Sequence, residues 1–397
     1  MRILPILAPL IVFGVVVFVH ELGHFLAAKA VGIYAPVFSL GWGRRIWGMK
    51  RGETDYRLSL FPLGGYVRMA SRDDEAMAAF EGGATRGNLT DDAAAQHGEP
   101  GVPWEKDALV PFGPKPVPED RWFESKPFPA KVFVLMAGVT MNFILAIGVV
   151  MSLVMVGGIA NLSPVIGSVT QGSPAAAAGL VAGDSIVSVA KVPIAGWKDL
   201  VTAVTSHPGV PLEFSLVRDG KSVAVTLTPR ATVDTNPRTG TSRTIGRIGA
   251  GGSRIKLGLA AAFVEAVGGT WETAVQTVDV VGGLLVGKVS PKQLGGPLMI
   301  AQASVQRAQT GGLEGVLDLL ALISVNIAVL NLLPVPVLDG GQVLLVALES
   351  ARGKPLGDRA KGLVMYAGVG VVLLLLITTT FNDVARIGGQ LFQHFRG

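Results

Sequence analysis

Hydrophobic residues gather into a few long runs along this chain, separated by shorter, mixed stretches. Residues 3–31, 133–159, 313–338 and 363–381 are each apolar for long enough to cross the ~30 Å hydrocarbon core of a bilayer, and they predict four transmembrane helices. A fifth run, 256–287, is nearly as apolar but carries Glu265, Glu272 and Asp279 seven residues apart. That spacing puts three acids on one helical stripe beside Trp271, and an amphipathic helix lying in the interface accommodates them more simply than a span does. After the first run come short alternating segments, Pro36 to Leu40, Arg44 to Lys50, Thr54 to Phe61 and Gly65 to Met69, which predict three or four short strands rich in Trp and Tyr. Sheet edges cannot face lipid, so this element must pack against protein or line an aqueous cavity. Between 162 and 230 the pattern becomes that of a soluble domain, with strands at 165–169, 185–189, 212–217 and 223–227 and a helix at 198–206.

These patterns divide the chain into eight parts: a first transmembrane helix (1–32), a membrane-associated β element (33–70), a flexible insertion (71–128) and a second helix (129–160). There follow the soluble domain (161–231), a linker with the interfacial helix (232–312), a third helix with a broken end (313–345), and a basic loop, fourth helix and tail (346–397). Arg2 is the one basic residue before the first run, which continues past the length of a signal peptide and so reads as a span.

Composition agrees with an integral membrane protein: 49% hydrophobic and 16% charged residues, with a mean hydropathy of +0.50. A net charge of +5 suits contact with anionic lipid. The basic residues lack interleaved aromatics, which argues against nucleic acid as a partner. With no cysteine, disulfides, thiolate metal sites and cysteine nucleophiles are excluded, and any metal must be held by His, Asp or Glu.

The candidate chemistry begins at His20-Glu21-Leu22-Gly23-His24, late in the first run. Two histidines four apart on a helix point the same way and can share a metal ion, and Glu21 lies beside them, where it could take a proton from a water at that metal. The bland reading is polar residues facing a bundle interior. Ionisable groups are costly inside a membrane, however, and three within five residues favour a site. A third ligand must come from elsewhere, because Ala30 stands where the extended motif would place another histidine. Asp339 is the candidate, in the run Asn331-Leu-Leu-Pro334-Val-Pro336-Val-Leu-Asp339-Gly-Gly, where two prolines break the third helix; Asp318 is the runner-up. His20, His24 and Asp339 share one depth only if the first and third spans run the same way, which again keeps 256–287 from crossing. Basic loops after those two spans put them on the cytoplasmic side by the positive-inside rule, leaving the soluble domain outside. Gly138 and Asn142, four apart in the second span, mark close helix packing or a hydrogen bond from Asn142 near the metal. His97 and His207 fall in polar loop segments, where no ligand role is expected.

Two resemblances follow from these residues. The run from Gly172-Ser173-Pro174-Ala175 through Gly183-Asp184-Ser185-Ile186 resembles the signature of bacterial PDZ domains, which bind a chain end beside a helix. HELGH, the Gly-x-x-x-Asn pair, one PDZ-like module and Asn331 to Gly341 together resemble the site-2 proteases, more closely the bacterial RseP-type regulator-of-sigma-E proteases, over almost the whole chain. The resemblance implies an intramembrane metalloprotease with Zn2+ held by His20, His24 and Asp339 and with Glu21 as general base. Asn331, Asn142 and Pro334 are then the expected substrate-binding residues, and the β element offers an edge to an unwound substrate strand. It further implies a bacterial inner-membrane location and, as substrates, single-pass membrane proteins such as anti-sigma factors already cut by another protease, or remnant signal peptides. The best-known relatives carry two PDZ domains where this chain has one, and the resemblance assigns no counterpart to 71–128. A non-catalytic PDZ membrane scaffold and a metal transporter are the rival classes.

Overall fold

A computed structural model describes residues 3–71, 118–235, 242–291 and 294–396. In chain order the elements are α1 (Leu4–Ala30), β1 (Val37–Arg51), β2 (Thr54–Arg68), α2 (Phe128–Gly157), β3 (Ile159–Ala160), β4 (Ile166–Val169), α3 (Pro174–Ala177), β5 (Ser185–Val189) and β6 (Val192–Pro193). They continue with α4 (Trp197–Thr205), β7 (Leu212–Arg218), β8 (Lys221–Leu227), β9 (Arg230–Thr235), β10 (Ser242–Arg247), β11 (Ala250–Gly252) and β12 (Arg254–Ile255). The last four are the helices α5 (Leu259–Leu285), α6 (Pro297–Asn331), α7 (Asp339–Arg352) and α8 (Asp358–Arg396). The chain separates into two units, residues 1–150 with 266–397, and residues 151–265.

The first unit holds the membrane helices. Among the described residues, four helices are long and apolar enough to cross a bilayer: α1, α2, α6 and, within α8, Arg359–Gly389. Helix α5 is not one of them. Its acids Glu265, Glu272 and Asp279 are exposed, while Ala266, Thr270 and Ala274 face inwards. Ala274 packs with Ala146 of α2 and with Ala321, Val325 and Val329 of α6, and Thr277 Oγ1 donates to Asn326 Oδ1 at 2.8 Å. Small residues let helices approach closely where no hydrophobic driving force separates protein from lipid. Helices α1 and α6 share a core of Ala8, Val12 and Val16 against Val316, Leu319, Leu320 and Ile323.

The β element is two long strands joined at Gly52-Glu53, with Gly52 at φ +63°. Their register is doubled: Val37 through Leu40 lie beside Arg68 through Gly65 and also beside Asp55 through Leu58, and the latter segment pairs in turn with 47–50. The effect is a four-segment sheet in the order 65–68, 37–40, 55–58, 47–50. It packs on protein. Phe38 sits against Phe18 and Phe25 of α1, with ring centroids 5.5 and 5.0 Å apart. On the outer edge, Ile46, Trp47 and Met49 are exposed.

Three boundaries differ from expectation. Of the insertion expected at 71–128, residues 72–117 lie outside the described residues, but its end is packed: Phe123 N–H donates to the Ala70 carbonyl at 2.8 Å, and Arg121 grips Glu53 with two contacts of 2.8 Å. The segment expected as a connector at 288–312 is helical from Pro297, but the backbone leaves helical geometry at Gly312 (φ 58°, ψ −137°) and folds back, so that a Cβ on Gly315 would lie 2.4 Å from the Arg307 carbonyl oxygen; α6 is two helices joined at that point. A positive φ suits glycine, and here it ends one helix and lets the next begin. The linker expected from 232 is also structured. Strand β11 pairs with β4, and β12 with β3, so this polar stretch closes the second unit and extends it beyond 231.

In that second unit a sheet of order β6-β5-β7-β8 covers a core of Ile166, Leu180, Ile186, Leu200, Phe214 and Leu216. Asp184 is fully buried beneath it. It accepts two bonds of 2.7 Å from Arg218 and one of 2.9 Å from Val181 N–H. The Arg218 guanidinium holds this carboxyl below its usual pKa. The pair therefore contributes stability above the ordinary carboxylate range, and that contribution is lost as pH falls through it. Asp184→Ala is expected to destabilise this unit by roughly 1–2 kcal/mol through its lost hydrogen bonds, since Arg218 is partly exposed and stays solvated when unpaired. Thermal unfolding of the purified chain checks this, with the deficit shrinking in acid.

Candidate active site

Helix α1 positions His20 and His24 one turn apart, only 6% and 7% exposed. Their Nε2 atoms stand 3.1 Å apart. The third group arrives from far along the chain. Helix α6 ends at Asn331, a turn containing Pro334 and Pro336 follows, and Asp339 opens α7. Gly340 and Gly341 make this bend possible: a Cβ on either would run into the carbonyls of Leu332 and Val335. Asp339 Oδ2 lies 3.3 Å from His20 Nε2, and Oδ1 lies 3.5 Å from His24 Nε2. All three ligand atoms fall within 4.8 Å of one another.

The donor set fits a metal. Two imidazole nitrogens and a carboxylate are ligands of the kind a catalytic zinc uses, with one position left for water or substrate. Asp339 Oδ2 is buried without a hydrogen-bond donor, which is costly for a carboxylate and is relieved by a cation.

Glu21 follows His20, and its Oε2 accepts from the Val67 N–H at 3.2 Å. Val67 lies in the sheet segment 65–68, so one edge of the β element borders the site. Asn331 Nδ2 is 3.1 Å from His20 Nε2, on the metal side of that ring. Pro334 is exposed in the turn between α6 and α7. Asn142 does not stand where a substrate contact would be: it is wholly buried, 3.3 Å from His20 Nδ1 on the far side of the ring.

The other candidates lie elsewhere. Asp318 pairs with Arg307 at 3.0 Å, largely exposed. His207 is hydrogen-bonded to the Ala203 carbonyl at the end of α4. His97 lies outside the described residues. Two participants carried no readable signal in the sequence, the Val67 N–H and the Val134 carbonyl, which accepts from His24 Nδ1 at 2.8 Å. Both are main-chain groups, and nothing in a side-chain pattern marks them.

A buried His-His-Asp cluster with an adjoining glutamate, set among helices that cross a bilayer, is the layout of a peptidase built inside the membrane. Residues 8–375 match the model of peptidase family M50. The chain belongs to this family and is a membrane protease of the site-2 type. It is 31% identical to the regulator of sigma-W protease RasP of Bacillus subtilis, across 96% of this chain and 98% of that one. It is likewise 31% identical to the zinc metalloprotease RasP of Geobacillus kaustophilus and 32% identical to that of Bacillus licheniformis, again across 96% of this chain.

Proposed function

We propose that His20, His24 and Asp339 hold one zinc ion and that the chain cuts transmembrane segments of single-pass membrane proteins. The observation that carries this is the convergence of the three side chains from the two ends of the sequence, beside Glu21. When bound, zinc supplies Lewis-acid polarisation of a peptide carbonyl and lowers the pKa of water at the site. Glu21 is the general base: its carboxylate takes the proton of the attacking water and returns one to the leaving amine. Asn331, whose amide faces the metal side of His20, and Pro334, exposed in the turn that follows, hold the substrate backbone.

A helical substrate hides its carbonyls in its own hydrogen bonds, so it must unwind before cleavage. The sheet edge at 65–68, next to Glu21, is where an unwound strand would recover backbone partners. In the second unit an apolar groove runs between α4 and residues 246–250, lined by Trp197, Leu200, Val204 and Ile248. This supports the PDZ reading, with the groove taking the apolar chain end left by an earlier cleavage. The location is a bacterial inner membrane, the PDZ-like unit outside and the site towards the cytoplasm.

Purified chain in proteoliposomes with a single-pass substrate tests the reading. Removing metal with a chelator should stop cleavage, and one equivalent of zinc should restore it. Cleavage undiminished by exhaustive metal removal would refute it, and a scaffold or a transporter would cut under neither condition.

A further inference from the structure

Each imidazole in the site is held from behind, and both holds come from α2. Val134 offers its carbonyl to His24, and Asn142, eight residues on, faces His20 Nδ1. Gly138 lies midway, so all three share one face of the helix. Asn142 is 0% exposed, and in the orientation that turns Nδ2 towards the ring its Oδ1 has no partner. The amide's two orientations have the same shape, and chemistry must choose between them. With Nδ2 towards the ring, Nδ1 of a neutral imidazole must accept, and the ring proton sits on Nε2. That is the atom facing His24 and Asp339, and protonated it has no lone pair for a metal. With Oδ1 towards the ring, Nδ1 carries the proton and donates it to Asn142, and the Nε2 lone pair points into the site.

We propose that Asn142 is a positioning residue: its Oδ1 accepts the His20 Nδ1–H and so fixes the tautomer and ring orientation that make His20 a metal ligand. The proposal rests on the zinc reading above. The anchor is itself tied down. Ser324 Oγ of α6 donates to the Asn142 main-chain carbonyl at 2.8 Å, with both residues fully buried. The helix that brings Asn331 to the front of His20 thus also braces the residue at its back. His24 receives the equivalent support from a main-chain carbonyl, which substitution cannot remove. Only the His20 side of the pair is open to mutation, and this makes the idea testable.

The test measures zinc affinity of the full chain by competition with a chromophoric chelator, for wild type, Asn142→Ala, Asn142→Leu and Asn142→Asp. Loss of an outer partner of a ligating histidine weakens metal binding about 10–100-fold, and that loss is expected for Ala and for Leu. Asn142→Asp keeps an acceptor at the same place and should bind zinc within a few-fold of wild type. Cleavage by the Ala and Leu variants should recover as zinc is raised. If Asn142 merely packs helices, Leu fills the space, retains wild-type affinity, and Asp gives no rescue; either result overturns the proposal. Should Ala fail to fold, the contrast between Leu and Asp still decides. A wild-type chain that binds no zinc would instead remove the ligand assignment itself, a distinguishable failure.

Discussion

Replacing Glu21 by glutamine leaves the chain folded and zinc-loaded while lowering cleavage of a transmembrane substrate by about a hundred- to ten-thousandfold, the usual contribution of a positioned general base. Glutamine keeps the size of the side chain and can still accept from the Val67 N–H that glutamate now holds, so the helix-to-sheet contact survives. What it cannot do is take a proton. Because Glu21 stands outside the His20, His24 and Asp339 cluster, metal content should not change. Measured side by side, zinc per chain and cleavage rate separate a base from a ligand. Substantial cleavage by the variant would remove Glu21 from the chemistry.

The second large effect is expected from a single methyl group. A Cβ added at Gly138 would collide with His24 Nε2 and come within 2.8 Å of His20 Cε1. Neither ring can retreat freely, since each is held from behind by α2 and is buried in a close-packed bundle. Gly138→Ala should therefore displace both imidazoles, lower zinc occupancy at least about tenfold and lower cleavage in step. Gly148 on the same helix is the control, because a Cβ there meets nothing within 4 Å. Gly148→Ala should bind zinc and cleave like wild type. Equal behaviour of the two variants would contradict the geometry.

The helical half of the site was legible because the spacing of His20 and His24 on a helix fixes their common direction. Asp339, 315 residues beyond His24, could be reached only through topology, by requiring two spans to run parallel. The proline-broken end of α6 made it conspicuous. Asn142 was legible as a helix-packing residue or as a hydrogen-bond partner near the metal, and the structure places it behind His20, 3.3 Å from Nδ1, rather than on the side that faces Asp339. Sequence spacing gives a helical face and does not say which neighbour that face meets. Residues 232–255 read as a linker because Gly, Thr and Arg give no alternation, yet Gly251 and Gly252 pair with β4. Such strands are set by the partner they close against, not by their own pattern. In 288–312 the helix from Pro297 was not legible, but the break that Gly311-Gly312 suggests before the third span is there, with non-helical backbone at Gly312.

The central claim is that His20, His24 and Asp339 together bind zinc. X-ray absorption at the zinc edge on the purified wild-type chain tests it most directly. The expected result is one zinc per chain with two imidazole nitrogens at about 2.0–2.1 Å and oxygen completing the shell. One imidazole should disappear in His24→Ala, and an oxygen in Asp339→Ala. Zinc well below one per chain, or a spectrum unchanged by these substitutions, would contradict the account.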